Sequence, residues 1–194
     1  MKRKPQSAPL ALAGFTLIEL LITILVLSLL LGLAVPAFRS LMQNDQQFVQ
    51  TNNLILSLNA ARSEAIKNDS AIGGQVCTSS NGLTCTGTPW NQGWIVLGVD
   101  PVNPAAGKRV QVVGALPAGT TLTEANGNLA VTFLSTGALS TAPPRVNPAV
   151  PVAFKMCDVR GPTFARYLQV TPMGRAVAAP RVGWDLAGAA LTCP

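Results

Sequence analysis

The sequence predicts an α+β fold: one long N-terminal helix, membrane-spanning in its first half and amphipathic in its second, packed on an antiparallel β-sheet head. Three observations predict it. From Phe15 to Val35 the chain is apolar, with Glu19 its one ionisable residue. Further on, Leu54, Leu58, Ala61 and Ala65 recur at spacings of four, three and four, one face of a helix. Beyond residue 70, short runs of β-branched and aromatic residues alternate with Gly, Pro and Asn turns, in a chain with 17 Gly and 15 Pro.

The elements follow in order. Residues 1–14 carry Lys2, Arg3 and Lys4 and read as a leader. Residues 15–37 are the spanning half. At 1.5 Å per residue, Phe15 to Val35 makes a helix of roughly 30 Å, the thickness of a hydrocarbon core. Basic residues flanking such a span stay cytoplasmic, which puts the remainder of the chain across the membrane. Pro36 lacks an amide hydrogen and is expected to kink or loosen the helix. Residues 38–70 form the amphipathic half, with Gln43, Asn44, Asp45, Gln46 and Gln47 on its polar side and Asn68-Asp69-Ser70 ending it. Residues 71–194 form the β-rich head. Strands are expected at 71–77, 93–99, 109–113, 119–124, 129–134, 152–157 and 165–170, with a last short one from Gly174. The third pairs with the second as a hairpin, and the proline-rich residues 140–151 make an extended loop.

Glu19 sets the chemistry of the first half. A carboxylate in an apolar span costs about 2.5–3.5 kcal/mol near a helix centre, less near its end. No Lys or Arg lies within reach in the span. A free α-amino group would serve if the chain were cut between Gly14 and Phe15. Glu19 could then pair with its own new amine or with a neighbour's, and the second choice builds a polymer. Two plainer readings compete. A small-x-small site at Gly32-Leu33-Ala34 fits an ordinary secretory signal, but a glutamate early in the apolar region argues against it. A plain signal anchor explains the hydrophobicity but not the place of Glu19.

Gly14-Phe15-Thr16-Leu17-Ile18-Glu19 behind a short basic leader resembles the type III signal of type IV pilins and type II secretion pseudopilins. The resemblance implies a type IV pilin-like fold. It also implies cleavage after Gly14 by prepilin peptidase, N-methylation of Phe15, and a role for Glu19 in docking the subunit into a growing filament. Pro36 falls where many pilins carry a helix-perturbing proline.

Composition narrows the rest. The net charge is +6, and about +3 once Lys2, Arg3 and Lys4 leave, too small an excess to prove a polyanion partner. The absence of His removes the commonest general base and metal ligand. No nucleophile, base and orienter stand together and no Gly-rich phosphate loop appears, so no enzyme and no cofactor is expected. Cys77, Cys85, Cys157 and Cys193 point to disulfides in an oxidising periplasm. Four cysteines allow three pairings; Cys77 with Cys85 and Cys157 with Cys193 is preferred. Zinc is the alternative, against which stand spacings other than CxxC.

A narrower resemblance covers most of the chain. Arg62-Ser63-Glu64-Ala65-Ile66-Lys67, Cys77 and Cys85, Trp90-Asn91-Gln92-Gly93-Trp94-Ile95-Val96, Cys157-Asp158-Val159-Arg160-Gly161 and Gly174-Arg175 are similar to the GspH/FimT family. This implies a minor pilin or pseudopilin, held in the bacterial inner membrane with a periplasmic head before entering a filament. The implied partners are prepilin peptidase, other minor and major pilins or pseudopilins, an inner-membrane assembly platform and membrane lipid. The resemblance leaves open priming or capping of a type IV pilus, for twitching or DNA uptake, and protein export by a type II secretion pseudopilus. Some relatives bind DNA through Gly-Arg-x-Arg. Here Gly174-Arg175-Ala176-Val177 lacks the second arginine, and Lys155, Arg160, Arg166, Arg175 and Arg181 remain as candidate DNA contacts by salt-dependent phosphate attraction.

Overall fold

A computed structural model describes residues 15–68, 73–98, 107–140 and 151–193. The chain divides into two compact units, Met1–Gln43 and Asn44–Pro194. One helix, α1 (Leu17–Asn68), supplies the described secondary structure of the first unit and the spine of the second. Pro36 lies inside this helix, which continues through it.

In the second unit the apolar stripe of α1 is the centre of the core. Leu54, Leu58, Ala61 and Ala65 are all buried, as their spacing demands. Two four-stranded antiparallel sheets contribute to one core cluster with it. The strands are β1 (Gln75–Thr78), β2 (Trp94–Gly98), β3 (Lys108–Val113), β4 (Thr121–Glu124), β5 (Ala130–Thr132), β6 (Val152–Cys157), β7 (Arg166–Val170) and β8 (Ala176–Ala178). The first sheet runs β3-β2-β1-β5 and the second β4-β6-β7-β8. Val76, Trp94, Val96 and Val131 enter the core from the first sheet, and Leu122, Val152, Phe154, Met156, Leu168 and Val170 from the second. The expected hairpin partner of β2 is indeed β3, with an irregularity between Val96 and Leu97.

Several buried polar groups of this core are matched by side-chain hydrogen bonds. The Trp94 indole N–H donates to the Ser57 hydroxyl at 2.9 Å and that of Trp90 to the Asn128 carbonyl at 2.8 Å. Trp90 also meets Phe154 edge to face, with centroids 4.9 Å apart. Buried Glu124 accepts from the backbone amides of Asn126, Asn128 and Ala153, so one carboxylate fastens the turn after β4 to the start of β6. Arg62 reaches from α1 to the carbonyls of Gly137 and Met173, binding two loops that are distant in sequence.

Both preferred disulfides are present. Cys77–Cys85 closes the loop after β1, and Cys157–Cys193 fixes the C-terminal tail to the end of β6. No cysteine is free.

The strand boundaries differ from expectation where glycine governs the backbone. The first strand, expected from Ala71, is described from Gln75, with residues 69–72 outside the described part. Gly74 passes so close to α1 that a Cβ there would fall on the Ala61 carbonyl. The last strand, expected from Gly174, begins at Ala176, because Gly174 at φ +75° closes a turn onto the Thr171 carbonyl. The 3-10 turns at Trp90–Gln92 and Pro162–Phe164 were not expected. The end of the second expected strand, the turn at 100–107 and the loop at 140–151 lie wholly or mostly outside the described residues.

Two stability outcomes follow. Gly74→Ala should cost at least about 2 kcal/mol by overpacking against backbone, whereas Gly114→Ala, with no atom within 4 Å of the added Cβ, should stay within about 0.5 kcal/mol. Denaturant unfolding of the detergent-solubilised chain measures both. By loop-closure entropy, removing Cys157–Cys193 should cost about 4 kcal/mol and removing Cys77–Cys85 about 2.5 kcal/mol, since the sequence separations are 36 and 8. The order of the paired Cys→Ser variants in the same unfolding experiment checks this.

Candidate functional site

The first unit presents an apolar helix surface interrupted by one charge. Every residue from Phe15 to Phe38 is exposed. By length and composition the helix can cross a membrane. Its hydroxyls satisfy themselves locally, which an apolar surrounding requires. Thr23 donates to the Leu20 carbonyl and Ser28 to the Leu25 carbonyl, each at 2.8 Å. Thr16 opens the helix, its Oγ1 accepting from the Glu19 amide at 3.3 Å and its carbonyl from the Leu20 amide. The Glu19 carboxylate has no ion-pair partner among the described residues. It sits in the first turn of the helix, where the helix dipole favours a negative charge. Phe15 is 80% exposed, one turn before Glu19. Gly14, the other half of the expected cleavage site, lies outside the described residues.

The five candidate DNA-contacting residues do not all share one face of the head. β6 and β7 pair so that Lys155 faces Tyr167 and Met156 faces Arg166. Side chains alternate along a strand, so Lys155 points to the outer face of the second sheet and Arg166 to the face that carries Met156 and Leu168. Arg160 is engaged: its Nε and Nη2 donate to Asp158 Oδ2 at 2.9 and 2.6 Å, and its Nη1 to Asn44 at 2.8 Å. It also lies over the Phe164 ring, as Arg181 lies over Trp184, both at 4.2 Å. Arg175 is exposed beside the Gly174 turn. Lys155 and Arg166 therefore lie on opposite faces of the second sheet, while Arg160 is close enough to Arg166 to act on it electrostatically. Only strand register reveals this, because in the sequence they look like one cluster.

Two further features were invisible before folding. An open groove of about 260 Å³, lined by Pro89, Trp90, Leu122, Glu124, Asn128 and Leu129 among others, is mostly apolar. Arg166 is half-buried, and burial together with the charge of Arg160 lowers its pKa. Among the described residues no group of three or more His, Cys, Asp or Glu side chains could hold a metal ion.

A long amphipathic helix laid on two antiparallel sheets, continued by an exposed apolar half with an acid in its first turn, defines a pilin-class architecture. The family described as Type II transport protein GspH matches residues 50–174, well over half of the chain, and this protein belongs to that family. The matched part is the head and its spine. The chain is similar in fold to the type IV minor pilin FimU of Pseudomonas aeruginosa, at 20% identity over 72% of this chain and 92% of that one, with a TM-score of 0.54. A weaker likeness is to the minor pseudopilin EpsH from the type 2 secretion system of Vibrio cholerae, at 12% identity over 69% of this chain and 96% of that one, TM-score 0.46. No curated protein sequence matches significantly.

Proposed function

We propose that this protein is a minor subunit that primes or caps a type IV pilus-like filament. The observation that carries the reading is Glu19, one turn from Phe15, as the sole ionisable group in an otherwise apolar and fully exposed helix half. The helix holds the subunit in the inner membrane, with the head on the periplasmic side. Prepilin peptidase cuts after Gly14 and methylates Phe15. When the assembly platform extracts the subunit, the Glu19 carboxylate neutralises the terminal amine of a neighbour. Charge neutralisation in a low-dielectric helix bundle is strong and directional, so it selects both stagger and partner. The disulfide-closed head stays folded outside while the helices pack.

The pilus is the preferred system, and export by a type II secretion pseudopilus is the second reading, supported by the description of the matched family. DNA contact has less support, because Lys155 and Arg166 lie on opposite faces, Arg160 is bound to Asp158, and Gly174-Arg175-Ala176-Val177 lacks the second arginine.

A deletion strain separates the systems. Lost surface pili with normal exoprotein export is the expected result, and the opposite pattern identifies a pseudopilin. Within either system Glu19→Ala should leave processing intact and cut the filament-to-membrane ratio of the subunit about tenfold or more, the effect of removing roughly 1.4 kcal/mol or more of pairing energy. Immunoblots of sheared filaments and membranes measure that ratio, and unchanged incorporation removes the proposed role.

A further inference from the structure

We propose that the connection between β6 and β7, residues 158–164, is a foot that rests on the lipid surface of the membrane. The proposal builds on the membrane-anchored reading above and adds a contact made by the head.

The second unit itself shows which of its ends this loop occupies. Along α1, the Thr51 hydroxyl donates to Met156 Sδ at 3.8 Å, and Asn44 accepts from Arg160 Nη1 at 2.8 Å. β6 therefore runs toward lower-numbered residues of α1, and the loop after it reaches the first residue of the unit. A Cβ added at Gly119 would meet Val159, so the turn before β4 lies at the same end. Arg62, about 27 Å further along the helix at 1.5 Å per residue, holds the loops at Gly137 and Met173.

Connectivity sets the distance to the membrane. Asn44 follows Phe38, the last apolar residue before the basic Arg39, by only a short run of chain. As helix that run rises about 9 Å, and even fully extended it reaches only about 20 Å. The headgroup layer on each side of a hydrocarbon core is about 5–7 Å deep. A loop tied to Asn44 thus has the bilayer surface within reach at any angle between the two units.

The chemistry of the loop suits that surface. Val159 is 75% exposed and Phe164 36%, with Gly161, Pro162 and Thr163 between them. The charged residues of the loop, Asp158 and Arg160, are spent on each other at 2.6 Å, which leaves no open charge to recognise a protein partner. The amides turn inward as well. That of Arg160 donates to Asp158 Oδ1, and those of Gly161, Phe164 and Ala165 donate to the carbonyls of Asp158, Gly161 and Pro162. Pro162 has no amide hydrogen to satisfy. A loop with paired charge and inward amides enters a water-poor interface at little cost, and its exposed apolar side chains gain there. The contact holds the head of the waiting subunit against the bilayer and is given up when the subunit is extracted.

The test uses the full-length chain reconstituted in phospholipid vesicles, with its native cysteines held in disulfides. A nitroxide is attached after Val159→Cys, Met173→Cys or Leu25→Cys. Electron spin resonance then reads its collisions with oxygen, which partitions into lipid, and with a nickel chelate, which stays in water. Val159 and Met173 are both 75% exposed, so burial within the subunit cannot separate them. At Val159 nickel collisions should be largely lost and oxygen collisions raised relative to Met173. Equal values at the two positions overturn the proposal. So does loss of both kinds of collision at Val159, which marks cover by another protein molecule. If Leu25 also reads as water-exposed, the membrane anchoring itself has failed; if Leu25 reads as lipid and Val159 as water, only the foot is wrong.

Discussion

A carboxylate in an apolar helix has to be neutralised, and much of this molecule is arranged around that requirement. The other polar groups of the first helix half need no outside help, since Thr23 and Ser28 return their hydroxyls to carbonyls of their own helix. Glu19 cannot do the same, because the carbonyls of its own turn are acceptors like itself. A solitary acid there costs energy in lipid and gains it beside a positive group. The gain is available only to a chain with a new amine at Phe15 or to one placed next to such a chain. An apolar span alone would give an anchor; under the proposed function, Glu19 makes other subunits the most favourable surroundings of this one.

The head shows the contrasting logic of a closed core. Small residues on α1, Ala61 and Ala65, let the chain at Gly73 and Gly74 approach the helix closely. Both sheets can then share one spine, and the aromatic cluster of Trp90, Trp94 and Phe154 fills the space near it. The long-range ties are polar and few: Ser57 with Trp94, Arg62 with two loops, Glu124 with the start of β6. The disulfides secure two segments that contribute little to the core cluster, the loop after β1 and the C-terminal tail.

Much of this was legible in the sequence, for identifiable reasons. The extent of α1 followed from periodicity and an uninterrupted run without glycine after Gly32. The strand at Trp94 was clear because β-branched and aromatic residues dominate it. The ends of β1 and β8 were misplaced because glycines that look like parts of a strand serve close approach and a turn. The division into two sheets was not legible, since pairing partners such as β4 and β6 are far apart in sequence. Arg166 shows the same limit at the level of one side chain. Its position beside other basic residues suggested a shared patch, and only its register opposite Met156 turns it to the helix side.

The most direct measurement is the intact mass of the protein recovered from membranes and from filaments. A chain that begins at Phe15, heavier by one methyl group and with both disulfides closed, is the result this account predicts. A chain that retains residues 1–14, or one cut after Ala34, would leave Glu19 without its amine or remove it altogether, and would contradict the account at its root.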